Sequence, residues 1–336
     1  MPRPRYRGRM TAPAPHRASR ASVALGVAGA VLVGVLTATQ SRINGEFGRA
    51  LDDGYLAAVI SFGSGLVILA LALVIWAPGR RGLTRLFASV GSGATPWWYL
   101  IGGAAGGFFV LSQGLTGATL GVALFTVAIV CGQTISGLAI DARGLGSTAP
   151  APITVTRLLG TVLALVAVTW AVSSQLVGDI PLWMLLLPFL AGLGIGGQQA
   201  VNGQVRSISR SALTATFMNF LVGSIVLAVA AIIHESIVGL PPALPPEPWL
   251  YLGGLIGTIF IGLSVVVVRA TGVLLLGLGS VAGQLVMSLV LDLVLPIPGH
   301  VFAWTTLAGT LLTLIAVALA AVPSAALRAP SRTPRG

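Results

Sequence analysis

The side chains with chemistry to offer in this chain are amides, and they come twice. Gln40-Ser41-Arg42-Ile43-Asn44-Gly45 returns as Gln198-Gln199-Ala200-Val201-Asn202-Gly203, and Gly132-Gln133 followed by Asp141 returns as Gly283-Gln284 followed by Asp292. Gln133, Gly137 and Asp141 lie at i, i+4 and i+8, and Gln284, Ser288 and Asp292 repeat that spacing. At about 100° per residue such positions share one stripe of a helix. An amide donates and accepts hydrogen bonds without carrying charge. The stripe can therefore line a cavity that recognises a polar solute, or it can bond helix to helix at roughly 0.6 kcal/mol per bond. Recurrence of the whole pattern favours a cavity, with Gln133, Gln284 and Ser288 on its wall.

Asn44-Gly45 and Asn202-Gly203 admit two readings. Asn-Gly closing an apolar run suits a helix C-terminus with a left-handed residue. Gln40 and Gln198, one turn earlier on the same face, are not needed for capping and suggest a polar patch near the mouths of a cavity. Asp141 and Asp292 close their stripes at helix ends, where water is expected to reach them. Paired with Arg206 and Arg49 respectively, they are candidate gate contacts, each worth about 0 to 1 kcal/mol if exposed.

Other chemistry is poorly provided for. His16, His234 and His300 are far apart and none has a second ligand at metal-binding spacing, so each reads as a lone surface or interfacial residue. Cys131 is the only cysteine, which excludes an intramolecular disulfide and a cysteine metal cluster. No Ser-His-Asp grouping, phosphate loop or paired carboxylate stands at a convincing position. The sequence implies no enzyme activity, no metal and no cofactor.

The elements that must position the amides are membrane helices. Hydrophobic residues make up 55% of the chain and charged ones 8%, against about 25% charged in a soluble domain. Ten apolar runs, at 23–43, 55–76, 97–116, 120–140, 155–177, 182–201, 212–233, 249–268, 272–294 and 302–322, each approach the ~20 residues that cross a bilayer. Between the two amide motifs, Ser61-Phe62 with Gly65 matches Asn219-Phe220 with Gly223, and Trp98 with Gly102-Gly103 and Gly106 matches Trp249 with Gly253-Gly254 and Gly257. The expected fold is thus all-α and integral to the membrane: ten transmembrane helices as two five-helix repeats, at 22–177 and 182–322, forming one membrane domain. Tails at 1–21 and 323–336 are expected to be loose, the first attracted to anionic lipid. The loop 79–96 has Leu83, Leu86, Phe87 and Val90 at helical spacing behind three arginines, which suits either a short interfacial helix or a solvated linker.

An odd number of spans per repeat inverts the second copy, the build of many secondary transporters. The basic residues, all arginine, give the orientation. Arg3, Arg5, Arg7, Arg9, Arg17, Arg20, Arg80, Arg81, Arg85, Arg143, Arg157, Arg206, Arg210, Arg269, Arg328, Arg332 and Arg335 fall on one side and only Arg42 and Arg49 on the other. That bias puts both termini in the cytoplasm. With no folded basic domain to carry it, the net charge of +11 signals orientation and excludes a nucleic-acid partner.

These motifs resemble the drug/metabolite transporter (DMT) superfamily, in particular its YdcZ-like branch of bacterial inner-membrane proteins. The resemblance rests on Gln-x3-Asn-Gly after helix 1, Ser-Phe-x2-Gly in helix 2, Pro-Trp-Trp-x3-Gly-Gly opening helix 3 and Gly-Gln-x7-Asp in helix 4, over about residues 22 to 322. It implies a fused two-repeat, ten-helix form in the cytoplasmic membrane. Small multidrug exporters of the same superfamily use a glutamate in the middle of helix 1, and helix 1 here has none, so their proton-coupled mechanism does not carry over. The expected function is secondary transport of a small organic solute or metabolite by alternating access. The competing reading is a non-transporting scaffold or lipid-handling protein. Expected partners are the solute and membrane lipids, with a homodimer left open. A reporter fused after Arg335 should be active on the cytoplasmic side, and activity only outside the cell would overturn the topology.

Overall fold

The computed structural model describes residues 20–143, 155–173, 181–296 and 304–321. The sequence expectations for residues 1–19 and 322–336 lie outside the described residues. Every regular element described is helical: α1 (Arg20–Leu51), α2 (Gly54–Ile75), α3 (Ala77–Gly91), α4 (Gly103–Arg143), α5 (Val155–Ser173), α6 (Leu182–Ser209), α7 (Ala212–Val238), α8 (Gly253–Val294) and α9 (Trp304–Ala321), with 3-10 turns at Trp97–Gly102 and Pro248–Leu252. Among the described residues, seven helical stretches are long and apolar enough to cross a membrane. The difference from the expected ten has a local cause in α4, where the spans expected at 97–116 and 120–140 run on as one helix interrupted at Gly121. The apolar stretch in α9, Leu307–Ala316, is shorter, and α5 also falls outside that set.

Large apolar side chains face outward along these helices. Val67, Leu71, Val74 and Ile75 on α2 and Ile225, Val229, Ile232 and Ile233 on α7 are all more than half exposed. In water such faces would drive aggregation; against lipid tails they cost nothing. Exposed Trp97, Trp98, Trp183, Trp249 and Trp304 sit at helix ends, where an indole can meet the interface.

The same turn opens the second helix of each half. Asp52 takes a left-handed conformation (φ 53°) and Asp53 caps α2 by accepting from the Tyr55 and Leu56 amides at 2.9 and 3.0 Å. Arg210 (φ 56°) and Ser211 do the same for α7, with Ser211 accepting from the Thr214 amide at 3.1 Å. The 79–96 loop resolves into a helix, α3, started by Pro78 in its first turn. Its Gly79 carbonyl accepts from Thr214 Oγ1 at 2.9 Å, which docks α3 on the start of α7.

Helix pairs form across the halves more than within them: α1 lies on α8, α6 on α4, α2 on α7 and α5 on α9. Glycine sets the closeness of the first two. A Cβ on Gly34 would overlap the Ser280 carbonyl and one on Gly283 the Val31 carbonyl, while in the matching pair Gly192 would meet the Ile129 carbonyl and Gly132 that of Phe189. These are backbone-to-backbone crossings of the small-residue type. Gly283→Ala should therefore destabilise the protein, by about 1–3 kcal/mol for overpacking. Gly277→Ala on the same helix, where a Cβ meets nothing within 4 Å, should be neutral or gain about 0.5–1 kcal/mol. Thermal unfolding in detergent, read side by side, checks the pair.

Candidate functional site

Where the halves cross, side chains from both enclose one cavity of about 560 Å³, counted with its open mouth. Gln40, Gln133, Gln198, Asn202 and Gln284 all line it, as do Phe62, Phe109 and Phe260. None of the described residues that line it is charged. Phe62 stacks on its sequence counterpart Phe220 with ring centroids 4.6 Å apart and planes at 25°. Phe109 and Phe260 are likewise counterparts by the spacing of the repeated motifs.

The amides reach their positions through the glycines of the opposite half. Gln40 Nε2 donates to the Gly253 carbonyl at 2.7 Å, and a Cβ on Gly257 would come within 2.5 Å of that same nitrogen. In the reciprocal arrangement, a Cβ on Gly106 would come 2.8 Å from Gln198 Nε2. A Cβ on Gly253 would overlap Asn44 Oδ1, and one on Gly102 would lie 3.7 Å from Asn202 Oδ1. Gln284 Nε2 donates to Ser280 Oγ at 3.1 Å, at the cavity wall. Ser288, expected on the wall, is buried and donates to the Leu285 carbonyl at 3.0 Å, away from the lining.

The two ends differ. Asn44 is fully buried and donates to Gln113 Oε1 at 2.6 Å, and Gln113 Nε2 donates on to Ser41 Oγ at 2.8 Å. None of these three lines the cavity, whereas their counterparts Asn202, Ser264 and Gln199 all do. Asn202 Oδ1 accepts from Asn219 Nδ2 at 3.4 Å, a long bond. The capping reading of Asn-Gly is corrected here: α1 continues to Leu51 and α6 to Ser209, so both dipeptides lie inside helices. A Cβ on Gly45 would come 2.9 Å from the Ala118 nitrogen, so this glycine permits a helix crossing.

The acidic residue of α8 has a structural task that its position in the sequence does not announce. Gly121 has φ 74° and ψ 161°, a backbone region essentially reserved for glycine, and the helix restarts after it. Asp292 turns its carboxylate onto that restart, accepting from the Val122 and Ala123 amides at 3.1 and 2.7 Å. Orphan amides at a helix N-terminus and their positive dipole end suit a carboxylate. The expectation that water reaches Asp292 is thereby corrected: the residue is 7% exposed. The Arg49 partner proposed for it is bonded elsewhere, to Glu46 at 2.5 Å, because the two lie one helical turn apart on α1. Arg206 Nη1 donates to the Val265 carbonyl, and the side chain of Asp141 lies outside the described residues.

Gln113 was not among the sequence candidates. Its counterpart is Ser264, so a search for doubled motifs passes over it. The remaining signal was a glutamine inside an apolar run.

A largely apolar helical body that encloses an uncharged, amide-lined cavity defines a multi-pass membrane protein of the transporter kind. The family model described as "Putative inner membrane exporter, YdcZ" matches residues 25–170 and again 183–319, and the chain belongs to that family. The family is one of transporters and not of enzymes, and it locates the protein in the inner membrane. A solved structure titled only "Crystal structure of protein" superposes with a TM-score of 0.57 at 17% identity, covering 93% of this chain and 100% of its own. No curated protein matches the sequence. Asp292→Ala should cost about 1–3 kcal/mol, the value of charged hydrogen bonds to a helix start. It should also speed amide exchange at Val122 and Ala123 specifically, and unchanged exchange there would remove the capping role.

Proposed function

We propose that the chain is a secondary transporter of a small organic solute, built as ten transmembrane helices in two inverted five-helix repeats that alternate access to the central cavity. The observation that carries this reading is the convergence of Gln133 and Gln284 with Gln40 and Gln198 on one cavity drawn from both halves. The stacking of Phe62 on its counterpart Phe220 supports a pseudo-two-fold relation, because a residue meets its own equivalent only beside such an axis. With an odd number of spans per repeat, that axis lies in the membrane plane.

The lining favours a solute without net charge, since uncharged amides and hydroxyls face it and the phenylalanines offer apolar surface to its body. The arginine distribution supports cytoplasmic termini, and on that basis the end bearing Asn202, Arg206 and Arg210 faces the cytoplasm. The sealed Asn44–Gln113–Ser41 chain then closes the outer end, and the conformation opens inward.

A thermal-shift screen of the purified protein against uncharged and zwitterionic metabolites should find a ligand that raises its apparent stability, by about 2.7 kcal/mol at a hundredfold excess over Kd. Gln133→Leu should abolish both that shift and solute movement in proteoliposomes while leaving the yield of folded protein unchanged. Equal loss of folded protein would assign the glutamine to helix packing instead.

A further inference from the structure

Away from the cavity, the capping residue of α2 meets the last turns of α7. Asp53, His234 and Glu235 each bring a potential ligand atom, and these atoms all lie within 4.8 Å of one another. Asp53 is buried and the other two are half-buried. Two of the three side chains are held for separate reasons. Asp53 Oδ1 takes both amide hydrogens of the α2 cap, leaving the other oxygen outside the cap. The His234 ring stacks on Tyr55 with centroids 4.3 Å apart and planes at 17°. Glu235 is the anomaly: both of its carboxylate oxygens are shielded from solvent, and the polar group it faces most closely is another carboxylate, that of Asp53.

A shielded carboxylate without a donor is costly, and a second carboxylate at this distance repels it unless a shared proton or a cation lies between them. An imidazole nitrogen with two carboxylate oxygens is a donor set that takes a borderline divalent ion and leaves a fourth position for water. We propose that Asp53, His234 and Glu235 bind one divalent cation of the Zn²⁺ type. The ion ties the start of α2 in one half to the end of α7 in the other. The site exists at one end of the molecule only. By the spacing of the repeat, Ser211 stands in place of Asp53, and Trp76 and Ala77 stand in place of His234 and Glu235. At that opposite end, the start of α7 is tied instead to α3, through Thr214 and the Gly79 carbonyl. The inference does not depend on the transport reading.

The test uses the full-length protein in detergent, freed of any histidine tag and of metal. Addition of Co²⁺ or Zn²⁺ at micromolar concentration should give one bound ion per chain, a tetrahedral Co²⁺ absorption band and a rise in Tm. Glu235→Gln and Asp53→Asn should each weaken that binding by about tenfold or more, the scale of lost metal-site interactions. Asparagine is as good a helix cap as aspartate, so Asp53→Asn should leave the metal-free Tm unchanged or raise it by relieving the repulsion from Glu235, and so separate ligation from folding. Glu247→Gln, an exposed acid outside the cluster, should bind as the parent does. The assignment is overturned if no ion binds, or if binding survives both cluster variants. It is also overturned if stability rises on acidification with no response to metal, which would show that the carboxylates share a proton.

Discussion

An amide inside hydrocarbon must find a partner, and for Gln40 the partner is supplied by the other half of the chain through a missing side chain. Gln40 reaches the carbonyl of Gly253 because Gly257 carries no Cβ in its path, while the space a Cβ on Gly253 would need is taken by Asn44 and Ser61. The Gly-Gly-x2-Gly segments at Gly102 and Gly253 and the Gln-x3-Asn segments at Gln40 and Gln198 are thus parts of one device, used reciprocally. Each glycine segment is the slot and each amide segment the insert. The cavity follows from this arrangement, because the helices that cross most closely at Gly34, Gly283, Gly132 and Gly192 are those whose faces then carry Gln40, Gln284, Gln133 and Gln198.

The parts of this device that are doubled were legible in the sequence. Gln40 with Gln198 and Gln133 with Gln284 stood out because each pair recurs in order, and an unneeded polar pair in an apolar chain demands a use. Residues that differ between the halves escaped. Gln113 faces Ser264 in the repeat, so the hydrogen-bonded chain it makes with Asn44 and Ser41 left no doubled trace. Asn-Gly misled for a local reason, since its common use is to end a helix. Here Gly45 is spent on a close crossing, and the helix runs on to Leu51. His234 looked solitary because its ligand-type neighbour Asp53 lies far away in sequence and is brought near only when α2 lies on α7.

Asp292 shows how a charge can be placed at depth without serving as a gate. A connection between two helical stretches inside a membrane leaves amide hydrogens without partners, and these must be satisfied within the protein. Gly121 makes the break without a loop, and Asp292 takes the two freed amides from across the bundle. Its spacing from Gln284 therefore reflects one face of α8 doing two things in succession: presenting an amide to the cavity, then a carboxylate to a helix start. The stripe was readable as a stripe. Its division of labour was not, because the receiving amides belong to another helix and amides carry no sequence signature.

The departures from symmetry are what would give a transport cycle its resting side. A molecule with two identical halves would favour neither end, whereas here Ser41, Asn44 and Gln113 bond to one another at one end while Gln199, Asn202 and Ser264 stand around open space at the other. At roughly 0.6 kcal/mol for each intramembrane hydrogen bond, the two bonds of the sealed chain and that from Gln40 to Gly253 amount to about 2 kcal/mol. A bias of that size populates one state at about thirtyfold over the other, by the rule that 1.4 kcal/mol is a factor of ten. A bound solute of ordinary affinity could offset it by preferring the other state. Much stronger closure would trap a transporter of the proposed kind, and none would leave it without a resting side, so in such a cycle the unlike residues of the repeat would set the energy scale of opening and closing.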